Sequence, residues 1–528
     1  MMKTKRMMSY VTAAILAASL LAGCGGTSNT GDISSTDQTA TADGEKVTLT
    51  ALINVGNTMT IEPDDMPSFQ NFEKETNVDV QWEVVRTGWE DRKMLVLASG
   101  ELPDMLFGSR TISSSDIISN KVLFTDLAPY LEQMPNVSKM FEEEPSMKNL
   151  VTMEDGSIMY LPSRMPLRPK TLTVSFINQD WLDTLGLEMP TTTDELVTVL
   201  EAFRDNDPNG NGQADEIPMT IDFMNTLFGS FGATFNEFAS ENLMVKDGEL
   251  SFFPTLEEYK EAIQFMNQLF EAKLIDQEAF TQDGSQSSAK YYSTDPQLVG
   301  MGAGWTISSV VGNDNMDSYS PMAPLTGPNG DQMWNSNPIA LATTACTWAL
   351  PDSCSNKEAA IKFIDHIYDP KNSVQLYVGS YGVSLEEKED GTVQVLESGD
   401  PEMTFDNWLW TNGFGDMGPY YVSKSFEEKM IPNSWAKEKL DYDKIYEPYI
   451  QDESEIYPPV LYSAEDSTEL SVLQTDINNI VNQKKAQWIT GETDIEAEWD
   501  SYLESLNNVG LPRAMEIYQK YWDASKNQ

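Results

Sequence analysis

One short segment of the chain has the residue types and spacing of a cation-binding loop. Residues 205–216 read DNDPNGNGQADE, with oxygen-bearing side chains at alternate positions and glycines between them. Calcium takes about six to eight oxygen ligands, and a glycine bends an acidic loop around the ion. The segment predicts a structural calcium site, because its own side chains would fill the coordination shell. The competing interpretation is an Asn-, Asp- and Gly-rich turn with solvated carboxylates.

Two ligand registers are compatible with this loop. Asp207, Asn209 and Asn211 contribute oxygens in both registers, and Glu216 closes either site. One register begins at Asp205 and follows the spacing of an EF-hand loop. The other begins at Asp207 and adds two further ligands, the Gln213 carbonyl and Asp215.

The N-terminus has the pattern of a secreted bacterial lipoprotein. Basic residues precede an apolar run at residues 11–22, which is shorter than the roughly 20 residues of a membrane span. The run ends in LAGC at residues 21–24, which resembles a lipobox. We therefore predict a signal peptide over residues 1–23, a lipid group (diacylglycerol and palmitate) on Cys24, and a flexible tether over residues 24–45. The expected location is the extracellular face of the bacterial cell membrane, with lipid as the only membrane contact.

Composition narrows the classes of function. The chain has 34 Lys and Arg against 83 Asp and Glu, a net charge of −49, which repels phosphate backbones and anionic membrane surfaces. We therefore expect no nucleic-acid partner. The single histidine, His366, excludes multi-histidine zinc sites. Cys346 and Cys354 are too few for a disulfide framework, and one disulfide or none fits the sequence.

The elements that would position a site alternate between strand and helix. Residues 47–107 read as strand, helix, strand, helix, strand, an order that predicts a doubly wound parallel sheet. Ligands of such sheets bind beyond the carboxyl ends of the strands. Those ends are the loops at residues 54–65 and 108–115.

A second α/β unit begins near residue 171 and contains the calcium loop. We predict a two-lobed α/β protein in which each lobe is a mostly parallel sheet flanked by helices, with a ligand cleft between the lobes and a helical C-terminus. Lobe 1 is assigned residues 46–170 with about 325–385, and lobe 2 residues 171–324 with about 386–528. The segments that join the lobes would serve as a hinge.

Several segments together resemble the family 1 extracellular solute-binding lipoproteins of bacterial ABC importers. These are the lipobox, the tether, FINQDWLDTLGL at residues 176–187, the calcium loop, and WDSYLESLNNVGL at residues 499–511. The chain looks most similar to the large oligosaccharide-binding members, including alginate-oligosaccharide binders with a structural calcium loop. The resemblance implies a monomeric receptor, without enzymatic activity, that closes around an oligosaccharide and delivers it to the ABC permease subunits. It also favours the register that begins at Asp207, with these ligands: Asp207, Asn209, Asn211, the Gln213 carbonyl, Asp215 and Glu216.

A cleft for sugars should combine flat aromatic rings with polar side chains. Aromatic residues in loop-like sequence are therefore the candidate ligand contacts, with Arg110 after the third strand as a polar contact: Trp305, Trp334, Trp408, Trp410 and Tyr421. Trp305 and Trp410 are the strongest candidates. The acidic charge favours neutral oligosaccharides over polyanions such as alginate.

Two alternatives have different consequences. An extracellular glycoside hydrolase would need a carboxylate pair, and no pattern in the sequence marks one. A receptor for a peptide or an organic cation would suit the acidic charge, whereas the calcium-loop resemblance speaks against it.

Overall fold

The strands and helices are taken from a computed structural model that describes residues 46–234, 242–400, 403 and 405–526. The predicted signal peptide, Cys24 and the tether lie outside the described residues. The strands in chain order are β1 (Val47–Asn54), β2 (Val78–Val85), β3 (Met105–Phe107), β4 (Leu161–Arg164), β5 (Val174–Asn178), β6 (Ile217–Met219), β7 (Leu243–Lys246), β8 (Glu249–Phe252), β9 (Val299–Gly304), β10 (Tyr319–Pro321), β11 (Thr343–Ala349), β12 (Leu385–Glu387), β13 (Val393–Val395) and β14 (Met430–Ile431).

The helices cover the faces of the sheets and form the C-terminus. In chain order they are α1 (Pro67–Thr76), α2 (Trp89–Ser99), α3 (Ser114–Ser119), α4 (Pro135–Glu143), α5 (Pro145–Asn149), α6 (Gln179–Leu185), α7 (Thr193–Asp205), α8 (Ile221–Met224), α9 (Glu257–Glu271), α10 (Gly284–Tyr291), α11 (Ile307–Val311), α12 (Pro338–Ala342), α13 (Lys357–Ile367), α14 (Pro370–Val378), α15 (Phe405–Asn412), α16 (Lys424–Glu427), α17 (Ser434–Tyr446), α18 (Ala464–Ile489), α19 (Ile495–Asn508) and α20 (Leu511–Ser525).

Lobe 1 is built around a five-stranded sheet with the order β2-β1-β3-β11-β4. β1 is parallel to β2 and β3, whereas β11 is antiparallel to β3 and β4. Four strands therefore point the same way and β11 alone is reversed. The reason is connectivity, because β4 leads out of the lobe and β11 returns to it from the other lobe.

Lobe 2 is built around a four-stranded sheet with the order β10-β5-β9-β6. β5 is antiparallel to β9 and β10, and β6 is parallel to β9. The reversed strand is again the one that enters the lobe from outside, β5. Helices cover both faces of this sheet, and α18, α19 and α20 pack into its larger core. The predicted two-lobed α/β fold with a helical C-terminus is confirmed.

Local sequence accounts for the helix that precedes the calcium loop. The hydroxyl oxygen of Thr192 accepts from the backbone N–H of Glu195 at 3.2 Å, so Thr192 caps α7 as its sequence predicts. The helix buries a stripe of four apolar side chains, Leu196, Val199, Leu200 and Phe203. This stripe fixes α7 on the sheet and thereby the position at which the loop begins.

Three segments join the lobes within the described part of the chain. They are residues 165–173, residues 322–342, and the link between β14 and α17. The apolar core of lobe 1 includes side chains up to Met430, whereas Tyr446 of α17 packs in lobe 2. The expected boundary at about residue 386 therefore needs correction, since described residues between 386 and 430, such as Val393, Leu409 and Met430, pack with lobe 1. Short strands such as β13 have no local feature that specifies which core they join.

The first connecting segment contacts both the second segment and helix α17. The Asp443 carboxylate on α17 accepts from the backbone N–H groups of Lys170 at 2.6 Å and Thr171 at 3.0 Å. The Nε of Arg168 donates to the carbonyl of Leu341 at 2.9 Å. Any change in the angle between the lobes must therefore be accommodated where the segments leave this group of hydrogen-bonded residues.

The two cysteines of the folded part do not form a disulfide. Cys346 on β11 and Cys354 after it are both buried free thiols. Burial raises the pKa of the Cys354 thiol to about 11, so it is protonated at neutral pH and a poor nucleophile.

Candidate ligand site

The carboxyl ends of both sheets lie at the edge where the lobes are joined. β4 runs into the first connecting segment, and β1 and β3 point in the same direction as β4. β5 begins just after that segment, so its antiparallel neighbour β9 and the parallel β6 end at this edge of lobe 2. Loops beyond carboxyl ends are where α/β sheets bind ligands, and here both lobes present them toward the connecting segments.

Lobe 1 presents an aromatic ring beside a cation and a carboxylate at this edge, which we call the Trp410 cluster (Arg110, Trp410 and Asp416). The guanidinium carbon of Arg110 lies 5.0 Å from the centroid of the Trp410 ring, and its Nη2 lies 3.5 Å from Asp416 Oδ1. Its Nη1 donates to Thr58 Oγ1 at 2.9 Å. Trp410 is half-buried, so the cluster combines an accessible ring edge with hydrogen-bond donors and acceptors, as sugar hydroxyls require.

Lobe 2 presents the second strong candidate in a similar setting, the Trp305 cluster (Arg168, Trp305 and Lys439). Trp305 directly follows β9 and is half-buried. Arg168 of the first connecting segment lies 4.9 Å from its ring centroid, and the Lys439 ammonium of α17 lies 4.6 Å from it. Both contacts are within cation–π range, so Trp305 joins the ligand edge of lobe 2 to the first connecting segment and to α17.

The buried Tyr420 lies within electrostatic range of both clusters. Burial first, and then neighbours that include the Asp416 carboxylate, raise the pKa of the Tyr420 hydroxyl well above its ordinary value, while the Arg168 guanidinium opposes this. Asp416 of one cluster and Arg168 of the other therefore both lie near Tyr420.

The structure assigns two predicted ligand contacts to the cores, which corrects the sequence-based interpretation. Trp334 is 4% exposed, stacks on Tyr446 at 4.4 Å, and donates from Nε1 to the Thr173 carbonyl at 3.2 Å. Tyr421 is 2% exposed and its hydroxyl donates to Glu143 Oε2 at 3.0 Å. Their aromatic faces and polar atoms are used within the protein.

The segment around Trp408 and Trp410 is a helix rather than a loop. Residues Phe405–Asn412 form α15, and two positions along it separate the two rings. Trp408 is 9% exposed, and its indole N–H is buried without a hydrogen-bond partner. Trp408 therefore lies on the buried side of α15, and Trp410 is the ring at the ligand edge.

The predicted calcium loop joins α7 to β6, and its polar side chains converge. The amide nitrogens of Asn209 and Asn211 both reach Asp215 Oδ1, at 3.0 and 3.1 Å. The Asp207 carboxylate accepts from the backbone N–H groups of Asn211 at 3.1 Å and Gly212 at 2.9 Å. Gly210 and Gly212 have φ of +72° and +74°, conformations that glycine adopts without strain.

One buried carboxylate oxygen in this loop is compatible with the predicted cation. The Oε1 atom of Glu216 is buried without a hydrogen-bond partner, and burial, followed by the charges of Asp207 and Asp215, raises the pKa of Glu216. No group of three His, Cys, Asp or Glu side chains in the described ranges could hold a metal by itself. A metal coordination shell at this loop would therefore need the Asn side-chain oxygens and backbone oxygens as well. The Asn amides can supply them, because a half-turn exchanges amide N for O at the same place.

Three charged residues of the two clusters were not predicted from sequence, namely Arg168, Lys439 and Asp416. Each contacts a ring or a cation that is far from it along the chain. No local spacing connects such residues, so only the arrangement of the lobes reveals them.

The protein has two α/β lobes, and the strand ends of both lobes face the segments that join them. This arrangement defines a class of two-lobed ligand-binding proteins. Residues 61–374 match the bacterial extracellular solute-binding proteins, and the chain belongs to this family. Among the described residues, no helix is long and apolar enough to cross a membrane.

One relative is named as a binding protein of a transporter and another as a lipoprotein. The fructooligosaccharide ABC transporter substrate-binding protein FusA of Streptococcus pneumoniae is 32% identical over 499 residues, 88% of this chain and 89% of FusA. Lipoprotein LipO of Bacillus subtilis is 26% identical over 97% of both chains.

Solved structures share the fold over nearly the whole chain. FusA in complex with kestose has a TM-score of 0.79 at 30% identity and covers 91% of this chain and 99% of its own. A FusA EF-hand mutant in complex with fructo-nystose has a TM-score of 0.78 at 30% identity, with the same coverage of 91% and 99%. An extracellular solute-binding protein from Bifidobacterium longum subsp. infantis has a TM-score of 0.81 at 27% identity, covering 92% and 99%.

Proposed function

We propose that the protein is the extracellular receptor of an ABC importer and captures a neutral oligosaccharide of the fructooligosaccharide class between its lobes. The observation that carries this proposal is the pair of aromatic clusters at strand ends that face the same joining segments. The similarity to FusA, at 32% identity over 88% of this chain, supports the ligand class. A sugar that contacts both clusters would stabilise a closed arrangement of the lobes by its differential affinity.

The calcium loop is proposed to hold one structural calcium ion. Its ligands would be oxygens of six residues: Asp207, Asn209, Asn211, Gln213 (carbonyl), Asp215 and Glu216. The buried unsatisfied Oε1 of Glu216 supports this assignment, as does the EF-hand named for the FusA relative. The bound ion would neutralise carboxylates that otherwise repel one another, and would hold the end of α7 against the start of β6.

The protein is proposed to act without catalysis and to be attached to the cell membrane through lipid on Cys24. The lipobox at residues 21–24 supports the attachment, as does the similarity to lipoprotein LipO. The absence of enzymatic activity is an expectation from the binding-protein relatives.

Thermal unfolding of the chain lacking residues 1–24, with calcium present, tests the proposal directly. A ligand at 100 times its dissociation constant adds about 2.7 kcal/mol, which for lobes of this size is roughly 5 to 10 °C. We expect such a shift with kestose, recovered intact, and none with trigalacturonate. No shift with any sugar would contradict the receptor assignment, and recovery of cleaved kestose would favour a hydrolase.

A further inference from the structure

A cavity of about 440 Å³ opens at the carboxyl ends of β6 and β9 in lobe 2. Its walls come from the start of α8, from the segment before α10, and from α10 and α11. Trp305 lies between β9 and α11. The cavity is therefore at the same edge of the sheet as the Trp305 cluster, but none of the three cluster residues lines it.

The polar atoms that line this cavity are mainly acceptors. The Nε2 of Gln282 donates to Asp276 at 3.0 Å, which leaves its Oε1 buried without a hydrogen-bond partner. The Asp222 carboxylate accepts from the Tyr291 hydroxyl at 3.3 Å, and a carboxylate has about four acceptor positions. Asp222 is exposed, so its carboxylate can accept from the O–H groups of a ligand in the cavity.

The cavity also offers hydroxyls and an aromatic ring. The side chains of Ser287 and Ser288 on α10 line it, and hydroxyls both donate and accept. Tyr292 is 53% exposed at its rim. A Cβ at Gly312 would lie 3.1 Å from the Tyr292 ring, so a glycine at this position keeps the ring in place. A carboxylate, hydroxyls and an exposed ring together match the surface of a sugar unit.

The charges around the cavity discriminate against acidic sugars. Asp222 and Asp283 are charged lining residues, and the lining includes no Lys or Arg among the residues that the structure describes. The cation of α10, Lys290, is paired with Asp276 at 2.7 Å and Glu278 at 2.8 Å. A uronate carboxylate in this cavity would therefore be repelled without compensation.

We propose that this cavity is a separate subsite of lobe 2 that receives one uncharged, hydroxyl-rich end unit of the oligosaccharide, with Asp222 as an acceptor for its hydroxyls and Tyr292 as its stacking ring. The inference rests on the proposed sugar-receptor function. In this proposal the cavity selects oligosaccharides with a neutral end over those with an acidic end. The Trp305 and Trp410 clusters bind the rest of the oligosaccharide.

The first test is calorimetric titration of the purified full-length chain with kestose and with trigalacturonate. Asp222→Asn keeps the size of the side chain but weakens the acceptor and removes the charge. We expect kestose affinity to fall roughly tenfold or more, since hydrogen bonds to charged groups are the stronger ones, while trigalacturonate affinity stays the same or rises. Asp314 is an exposed residue of the same lobe outside the cavity. Asp314→Asn should leave the affinities for kestose and for trigalacturonate unchanged.

A second pair of variants fills the cavity. Ser287→Phe places a large ring in it from α10, whereas Ser285→Phe places the same ring on an exposed position of that helix outside the lining. Loss of kestose binding in Ser287→Phe alone, at an unchanged unfolding temperature, supports the subsite. Wild-type affinity in both Asp222→Asn and Ser287→Phe would overturn it and leave the receptor function intact. A wild-type chain that binds no sugar would overturn both.

Discussion

At the scale of single residues, the environment of each tryptophan decides what it can do. Trp305 and Trp410 are half-buried at strand ends and contact cations. Trp334 has the same chemistry, but its ring stacks on Tyr446 and its N–H is bonded to a carbonyl. The three rings therefore provide a matched comparison between ligand contact and core packing.

Replacing either ring at the ligand edge should weaken sugar binding. We expect Trp305→Ala and Trp410→Ala each to lower kestose affinity about tenfold or more, because an aromatic anchor at the centre of a site contributes about 1–2 kcal/mol or more. Isothermal titration measures this change. Trp334→Phe is the control and should lower stability while affinity is kept. The assignment would be contradicted if the control lost affinity and the two alanine variants kept it.

At the scale of elements, short polar segments hold the strands and helices in register. The calcium loop connects α7 to β6, and β6 in turn lines up beside β9. At the opposite edge of lobe 1, Asp104 precedes β3 and its carboxylate accepts from Thr50 on β1 and from Ser355 before α13. Each segment links elements that are distant along the chain.

Removing calcium should destabilise lobe 2. At calcium concentrations about 100 times the dissociation constant, the ion contributes about 2.7 kcal/mol, so chelation should lower the unfolding temperature by roughly 5 to 10 °C. Scanning calorimetry with and without chelator measures the difference. Glu216→Gln should abolish most of it, whereas Glu201→Gln on the exposed face of α7 should keep it. An identical response to chelator in both variants would argue against the loop.

Asp104 should make lobe 1 sensitive to acid. Burial would raise its pKa, but hydrogen bonds led by those from the backbone of Thr50 and Ser355 outweigh burial and lower the pKa below the ordinary 3.8. A lowered carboxyl pKa stabilises the fold above the unfolded-state value, and this stabilisation is lost as pH falls through the folded-state value.

Asp104→Asn should therefore cost about 1–3 kcal/mol at pH 7, because the amide group turns a donor toward one of the two backbone donors. Urea unfolding at pH 7 and at pH 3 measures the difference from wild type, which should shrink at the lower pH. A difference that stays constant between the two pH values would show that the charge of Asp104 is not its cause.

At the scale of the whole molecule, two lobes share one set of connecting segments. Asp443 bonds the first connecting segment to α17, and Arg168 reaches from the first segment to the second. Arg168 also contacts Trp305, so a sugar on the Trp305 ring would act directly on the residues that set the angle between the lobes. We therefore expect ligand binding and closure to be coupled in this fold.

Membrane attachment and sugar binding should be separable properties of the whole molecule. We expect Cys24→Ala to move the protein from the membrane fraction to the medium, because the lipid is proposed as its only membrane contact. Kestose affinity should be unchanged, since Cys24 precedes the compact unit that begins at Lys46. Fractionation and titration measure the two effects. Retention of the alanine variant in membranes would require another contact.

Sequence alone determined the features that depend on local spacing. The strand and helix alternation of lobe 1, the cap and apolar stripe of α7, and the convergent side chains of the loop at residues 205–216 all follow from residues within a few positions of one another. Such patterns are readable because backbone geometry brings nearby residues together in a fixed way.

The tertiary structure alone decided which residues meet across long distances. It placed Trp334 and Tyr421 in the cores, moved described residues between 386 and 430 to lobe 1, and brought Arg168 and Lys439 to Trp305. It also formed the cavity that Asp222 and Gln282 share. The physical reason is that burial and contact depend on how the lobes pack and where the chain crosses between them, which local residue patterns do not specify.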